Sequence, residues 1–322
     1  MVGKVATIAG NAFRETVRQP VFCVVLAVAG GMIAASPWFS MFTLLENIKL
    51  VKDMGLSTIL LAGLLLAVLS ASNVVSEEIR GRTALMVMAR PVGRGAFVLG
   101  KFLGIALAQL VAAYLLTLVL VLTVRVGVPE AAYSKLDTPV IWGEAIATVL
   151  TVLAAAAANY FFDKPFPSAV VFAALGAFTL VFVGFGFFDG DLKPVAFLSA
   201  MDLDLLRACI TLFPLAAVLT AAAVACATRL SLVASVVACT LFFAVGTLAD
   251  YLFARLVAVS RLLGEVFYVL LPNFQVFWVG DALSADKPVP WPYVGLSLGY
   301  GALYAAALLF LGMWLFETRE IQ

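Results

Sequence analysis

Eight long apolar runs constrain the fold of this chain more than any other feature of its sequence. A bilayer core of about 30 Å needs roughly 20 apolar residues per helix. The runs cover residues 21–38, 57–75, 97–124, 145–162, 168–188, 209–227, 231–251 and 293–316. Apolar residues make up 64% of the 322 residues and the mean hydropathy is +1.11, which is outside the range of soluble domains. We therefore predict an all-α polytopic membrane protein with about eight transmembrane helices.

A short amphipathic segment precedes the first apolar run. Between Lys4 and Arg18, apolar residues recur on one helical face and charged residues on the other, and Pro20 follows. This pattern predicts an interfacial helix over residues 1–20, lying along the membrane surface. A secretory signal peptide with a cleavage site near 32–36 is the alternative, and the length of the amphipathic segment disfavours it.

The connection between the second and third runs, residues 76–96, is the most basic part of the chain. With the start of the next helix it contains Arg80, Arg82, Arg90, Arg94 and Lys101. Loops rich in Lys and Arg stay in the cytoplasm, so this segment is predicted to lie inside the cell. Eight spans that start inside return the C-terminus inside. From the residues alone, the segment either presents a surface to a partner or is a solvated loop that only fixes the topology.

A set of features in this segment resembles the permease subunits of ABC-2 type transporters. The features are the pair Glu77-Glu78, the step Gly81-Arg82-Thr83, the break Arg90-Pro91, the basic residue Arg94 and the run FVLGKFLG at 97–104. The resemblance implies a fold with an N-terminal elbow helix and a six-span core, to which one extra hairpin is added here. It also implies that residues 76–96 are a cytoplasmic coupling segment that docks on a separate ATPase subunit.

The same resemblance implies roles and partners. The residues expected to couple to the ATPase are Glu77, Glu78, Arg80, Arg82, Arg90, Pro91 and Arg94. The expected partners are cytoplasmic ABC ATPase subunits, a second copy of the chain or a related permease, and the lipid bilayer. The expected location is the bacterial cytoplasmic membrane, with the whole chain forming one permease domain.

Two Ala- and Val-rich hairpins, 145–188 and 209–251, look alike, with turns at Asp163-Lys164 and Thr228-Arg229. One of them is expected to be the extra hairpin. The segment 252–292 then has apolar residues at helical spacing before Pro272, which predicts an amphipathic or re-entrant helix on the outer side.

Polar and small residues inside the runs are the candidates for pathway lining and helix packing. Gln109, Asn73 and Asn159 are the candidate pathway residues, although interhelical hydrogen bonding explains Gln109 equally well. Gly100 with Gly104 and Gly295 with Gly299 have the small-xxx-small spacing of packed membrane helices. No run has a clear central charge, which favours an energy source outside the bilayer.

The sequence predicts no catalytic, metal or cofactor site. The GAFVLGK run at 95–101 fits GxxxxGK, but Phe102 follows where a metal-binding Ser or Thr is needed. The GLSLG run at 295–299 fits a nucleophile motif that needs His, and the chain has no His. The four Cys residues form no CxxC pair, and a net charge of +1 without a basic tail argues against nucleic acid as a partner.

The sequence therefore favours the membrane-spanning permease subunit of an ATP-driven ABC-2 type export system. The alternative is a non-transport membrane anchor or assembly protein that recruits a soluble partner through the basic segment. An intramembrane hydrolase is disfavoured because no His-based site can form. An apolar pathway suits lipids, glycolipids or hydrophobic drugs, and no residue selects among them.

Overall fold

A computed structural model describes residues 2–40, 47–76, 93–128, 136–285 and 287–317. Within these ranges all regular structure is helical, apart from one isolated antiparallel bridge between Phe188 and Pro194. The predicted all-helical membrane architecture is confirmed at this level. The helices are α1 (Val2–Arg18), α2 (Pro20–Ser40), α3 (Asn47–Ala71), α4 (Arg94–Val126), α5 (Thr138–Phe162), α6 (Phe166–Gly186), α7 (Leu203–Ala227), α8 (Leu232–Thr247), α9 (Ala249–Val259), α10 (Arg261–Leu270), α11 (Gly280–Ser284) and α12 (Trp291–Glu317).

Seven of these helices are long and apolar enough to cross a bilayer unbroken: α2, α3, α4, α5, α6, α7 and α12. The predicted span 231–251 differs, because the described chain bends there by 65° between α8 and α9. The described helices thus provide seven candidate spans, or eight if the bent pair is one span, beside the predicted number of about eight. Gly246, next to the bend, faces the ring of Phe274, where an added Cβ would lie 2.5 Å from a ring carbon.

Several helices start earlier than their apolar runs predict. α3 begins at Asn47 instead of residue 57, α5 at Thr138 instead of 145, and α7 at Leu203 instead of 209. Hydropathy excluded these first turns because they contain charged residues. In the structure Lys52 Nζ of α3 and Asp202 Oδ2 at the start of α7 form a 2.6 Å ion pair, so these two helices extend through their charged first turns.

Side-chain contacts define the two ends of the helix bundle. At one end, the Lys101 end, Phe97 at the start of α4 stacks on Phe316 at the end of α12, with ring centroids 5.7 Å apart. Arg229, in the turn after α7, donates from Nε to the carbonyl of Leu315 at 2.8 Å. The start of α4, the end of α7 and the end of α12 therefore lie together.

The opposite end, the Arg125 end, contains the end of α4 and the start of α3, because Gly55 faces Leu120. The start of α7 lies there too, joined to α3 by the Lys52–Asp202 ion pair. The Arg207 guanidinium of α7 lies 5.3 Å from the ring of Trp291, the first residue of α12. Between the turn after α7 and the start of α12, the chain thus passes from the Lys101 end to the Arg125 end.

α7 lies at the centre of the bundle and packs on α12, α3 and α4. Glycines of α12 allow the close approach: a Cβ at Gly301 would lie 2.4 Å from Pro214 Cβ, and one at Gly312 would lie 3.1 Å from Ala225 Cβ. The α5–α6 hairpin is peripheral. Its outer faces are apolar and exposed, which is the expected surface of a helix that faces lipid.

Candidate functional site

A cavity of about 350 Å³ lies between α2, α4, α5 and α6, inside the segments long enough to span a membrane. Its walls are mainly apolar. They include Leu26 and Ala34 of α2, Leu116 and Val119 of α4, and Ala174 and Phe178 of α6. Small-molecule sites in proteins are typically apolar clefts of about 300–1,000 Å³ with a few placed polar groups. The volume and lining of this cavity match that description.

The polar groups of the cavity come from one face of α5. Glu144, Thr148 and Thr151 follow each other at i, i+4 and i+7, which places all three on the same side of the helix. With a rise of 1.5 Å per residue, they extend about 10 Å along the axis. The cavity therefore has a polar strip on an otherwise apolar surface.

The three polar residues differ in their hydrogen bonding. Thr123 Oγ1 donates to Glu144 Oε1 at 3.4 Å, and Thr148 Oγ1 donates to the backbone carbonyl of Glu144 at 2.8 Å. Thr151 is 5% exposed, and its hydroxyl has no hydrogen-bond partner among the described residues. A buried polar group without a partner is uncommon and needs a reason. Here the hydroxyl lines a cavity that a ligand can enter.

A buried cation at the end of α4 is paired with a carboxylate other than Glu144. Arg125 at the end of α4 is bonded from Nε to Asp137 Oδ2 at 2.9 Å, with side chains only 5% and 9% exposed. Its other nitrogens donate to the backbone carbonyls of Phe185 and Phe188, the latter at 2.7 Å. This network fixes both ends of the α5–α6 hairpin to α4. Arg125 is neutralised by Asp137, and no ion pair joins Glu144 to any residue of the described ranges.

The residues predicted to line a pathway do not converge in the structure. Gln109 donates from Nε2 to the carbonyl of Gly63 at 3.0 Å, so its amide joins α4 to α3, beside a separate apolar cavity of about 180 Å³. Asn73 donates to Gln19 Oε1 at 3.3 Å, at the junction of α1 and α2. Asn159 donates to the carbonyl of Lys164 at 2.8 Å and closes the turn of the α5–α6 hairpin.

Most of the predicted coupling residues lie outside the described residues: Glu77, Glu78, Arg80, Arg82, Arg90 and Pro91. Arg94 is the first residue of α4. On the other side of the segment, α3 continues into a π-helical turn over Ser72–Ser76. The described helices therefore lead directly into and out of the coupling segment.

The predicted packing glycines fall into two groups. Gly100 and Gly104 lie against α1, where an added Cβ would be 2.7 Å from Ile8 Cγ2 and 2.4 Å from the carbonyl oxygen of Ala9, respectively. Gly295 and Gly299 differ from the prediction. A Cβ at either position would meet no atom of the described chain within 4 Å, and the glycines of α12 that contact α7 are Gly301 and Gly312.

Sequence reasoning missed Glu144 because the predicted span began at residue 145. In the structure Glu144 lies in the second turn of α5, and Lys101, in the third turn of α4, has its Nζ 3.2 Å from Glu15 Oε2. The signal was present as a carboxylate and two threonines on one face of an apolar helix.

Comparison with known protein families and with curated proteins finds no match for this chain.

Proposed function

We propose that this chain is the membrane-spanning permease subunit of an ATP-driven ABC-2 type export system, coupled to separate ATPase subunits. The observation that supports it most is the 350 Å³ cavity at Glu144, an open cleft lined by helices long enough to span a bilayer. α4 contributes three residues to this cavity, Leu115, Leu116 and Val119, and α4 starts directly after the basic segment. One rigid element thus runs from the proposed coupling segment to the proposed substrate site.

The N-terminal helix α1 gives this element a second attachment. α1 packs against α4 at Gly100 and Gly104, and the Lys101–Glu15 ion pair joins the same two helices. The Lys101 side chain is buried and the Glu15 side chain is 41% exposed, so the pair lies at the edge of the contact between the two helices. A displacement of the segment 77–92 would move α3 from one side and α4 from the other, and α1 would move with α4. Coupling then requires that the two states make different contacts with the ATPase or its nucleotide.

The proposal includes partners and an orientation. The basic segment would face the cytoplasm and bind ABC ATPase subunits, in a complex with a second copy of the chain or a related permease. The positive residues of this segment favour an inside location. The described end of α12 lies at the Lys101 end of the bundle, beside the start of α4, which agrees with both termini being cytoplasmic in the bacterial inner membrane.

A double substitution in the coupling segment tests this function. Glu77→Ala with Arg82→Ala, in a chain co-expressed with an ABC ATPase subunit that co-purifies with the parent chain, removes two charges that would contact the ATPase. We expect the affinity for the ATPase to fall by about tenfold or more, since each 1.4 kcal/mol of lost binding is a factor of ten. Substrate-stimulated ATP hydrolysis should fall with it. Co-purification and hydrolysis assays measure both effects.

The matched control is Asp191→Ala with Lys193→Ala, an exposed charge pair between α6 and α7 at the Arg125 end. It should leave association and hydrolysis unchanged. Normal association and hydrolysis in the Glu77 and Arg82 double variant would contradict the assignment of the coupling segment. If the double variant loses a soluble partner and the parent chain shows no ATP-dependent transport in vesicles, the anchor function is favoured instead.

A further inference from the structure

We infer that the Glu144 cavity binds a single-tailed cationic amphiphile, with its positive head beside the Glu144 carboxylate and its apolar body among α2, α4 and α6. The inference rests on the proposed permease function for the transport step, and it deepens that function by naming the substrate class. Binding itself depends only on the cavity.

The charge of the occupant follows from the electrostatics of the site. A carboxylate taken out of water is costly unless it is paired, and ionisable residues inside membrane helices generally mark ligand or ion sites. Glu144 has one weak hydrogen bond, from Thr123, and no ion pair among the described residues. A ligand ammonium would supply the missing positive charge. An anionic head would add like-charge repulsion at the same place.

The lining also argues against a phospholipid. No Lys or Arg lines the cavity, so nothing there balances the phosphate of a lipid headgroup. The volume of about 350 Å³ is at the lower end of the range for small-molecule sites. It suits one alkyl chain or a compact ring system better than two acyl chains.

The positions of the lining residues along the helices determine the orientation of the ligand in the cavity. Glu144 lies near the start of α5 at the Arg125 end, and Cys23, near the start of α2, lines the cavity towards the Lys101 end. Between them, Thr151 offers a hydroxyl that has no partner in the described structure. The head of the amphiphile therefore lies at Glu144, and its tail extends towards Cys23.

Binding to the purified chain, without any ATPase, tests the inference. Dodecyltrimethylammonium, dodecanol and dodecanoate share one tail and differ only in head charge, and each is titrated against the chain in phosphatidylcholine nanodiscs, with empty discs subtracted. We expect the cation to bind at least about tenfold more tightly than the anion, which corresponds to the loss of one favourable charge interaction. The cation should also protect Cys23 from N-ethylmaleimide.

Three variants locate the site. Glu144→Gln keeps the size of the side chain and should lose about tenfold or more of the affinity for the cation while still binding dodecanol. Gly30→Leu should fill the cavity and reduce binding of both, because a Cβ at Gly30 approaches only Leu116, at 4.0 Å. Glu265→Gln, at an exposed carboxylate of α10, is the control and should change nothing.

Equal affinity for the cation and the anion, or unchanged cation binding in both Glu144→Gln and Gly30→Leu, would overturn the inference. These outcomes leave the permease function standing, because the experiment contains no ATPase. In the reverse case, cation binding that depends on Glu144 upholds the inference. If proteoliposomes that also contain the ATPase then show no ATP-dependent movement of the cation, the permease function fails while the binding site stands.

Discussion

The hairpins α5–α6 and α7–α8 have similar sequences and different places in the structure. Both contain an alanine-rich run, five alanines at 154–158 and four alanines with Val224 at 221–225. All five residues of the second run are buried, whereas only Ala155 of the first run is. Lipid is as apolar as a helix core, so hydrophobicity gives no preference between the centre and the edge of a membrane bundle. The difference teaches that the partner surface, more than composition, decides which hairpin contributes the central helix, here α7.

The two hairpins are also attached differently. α7 is held by close apolar packing, since Gly301 and Gly312 of α12 allow its backbone to approach. The α5–α6 hairpin is held to α4 by the Arg125 network. Each hairpin begins with an aspartate that pairs with a cation on another helix. The pair Arg125–Asp137 is buried, and the pair Lys52–Asp202 is partly exposed, at 15% and 27%.

Substitution of Arg125 should lower the free energy of unfolding more than any other change proposed for the two hairpins. Arg125→Leu leaves the Asp137 carboxylate buried without its partner, together with the carbonyls of Phe185 and Phe188. Breaking a buried ion pair on one side costs about 3–5 kcal/mol. We expect the free energy of unfolding in mixed micelles to fall by about that amount. Hydrogen exchange should increase first in α5 and α6.

The matched control is Arg261→Leu, which removes an exposed i,i+4 pair with Glu265. Exposed pairs contribute about 0–1 kcal/mol to stability, so the free energy of unfolding of this variant should stay near that of the parent. If the two arginine variants lost the same stability, attachment of the α5–α6 hairpin by the Arg125 network would be refuted.

The alanine-rich runs allow a second test, in which the expected loss of stability is intermediate. Ala221 of α7 is fully buried and Ala157 of α5 is exposed. Ala221→Leu adds volume to a filled contact and should destabilise the chain by about 1–3 kcal/mol, as overpacking does. Ala157→Leu extends into lipid and should stay within about 0.5 kcal/mol of the parent. Unfolding midpoints in mixed micelles compare the two, and equal losses would mean that the α5 run is also packed against a partner.

Much of the architecture was predictable from hydropathy, and particular residues explain the rest. The separate helix before Pro20 and the turns near Asp163 and Thr228 follow from amphipathicity and from breaks in the apolar runs. The packing face of α12 does not follow from the sequence pattern. Two small-residue patterns run along this helix, Gly295 with Gly299 and Ser297 with Gly301, and spacing alone gives no reason to choose the second.

The candidate site was less predictable than the fold. Glu144 lies one residue outside the predicted span 145–162, whose limits come from hydropathy, so the apolar run does not include its carboxylate. Gln109 could be singled out from the sequence because it is a polar residue in the middle of an apolar run. Its hydrogen bond to Gly63 depends on how α3 and α4 pack, which the sequence pattern does not specify. The cavity results from where four helices separate, which depends on side-chain volumes across several contacts. A residue pattern within one helix does not encode that separation.

The smallest effect is expected at the partly exposed pair that starts the central hairpin. Burial acts to raise the pKa of Asp202, but the Lys52 ammonium and the Leu205 N–H, at 2.6 Å and 2.9 Å, lower it by more, so the net pKa lies below the ordinary value. A carboxylate with a lowered pKa stabilises the fold above its unfolded pKa of about 3.9 and loses that contribution as the pH falls through its folded pKa.

Asp202→Asn keeps a side-chain acceptor for the Leu205 N–H, because Asn is also a good N-cap residue, and removes the charge. We expect it to lose no more than about 1 kcal/mol at neutral pH, as exposed ion pairs do. Its unfolding midpoint should also depend less on pH below about 4 than that of the parent, since the titrating group is absent. Asp191→Asn, in an exposed loop, should retain the acid dependence of the parent. If Asp202→Asn kept that dependence too, the Lys52–Asp202 pair would contribute nothing to holding α7 against α3, and apolar packing alone would fix the central hairpin.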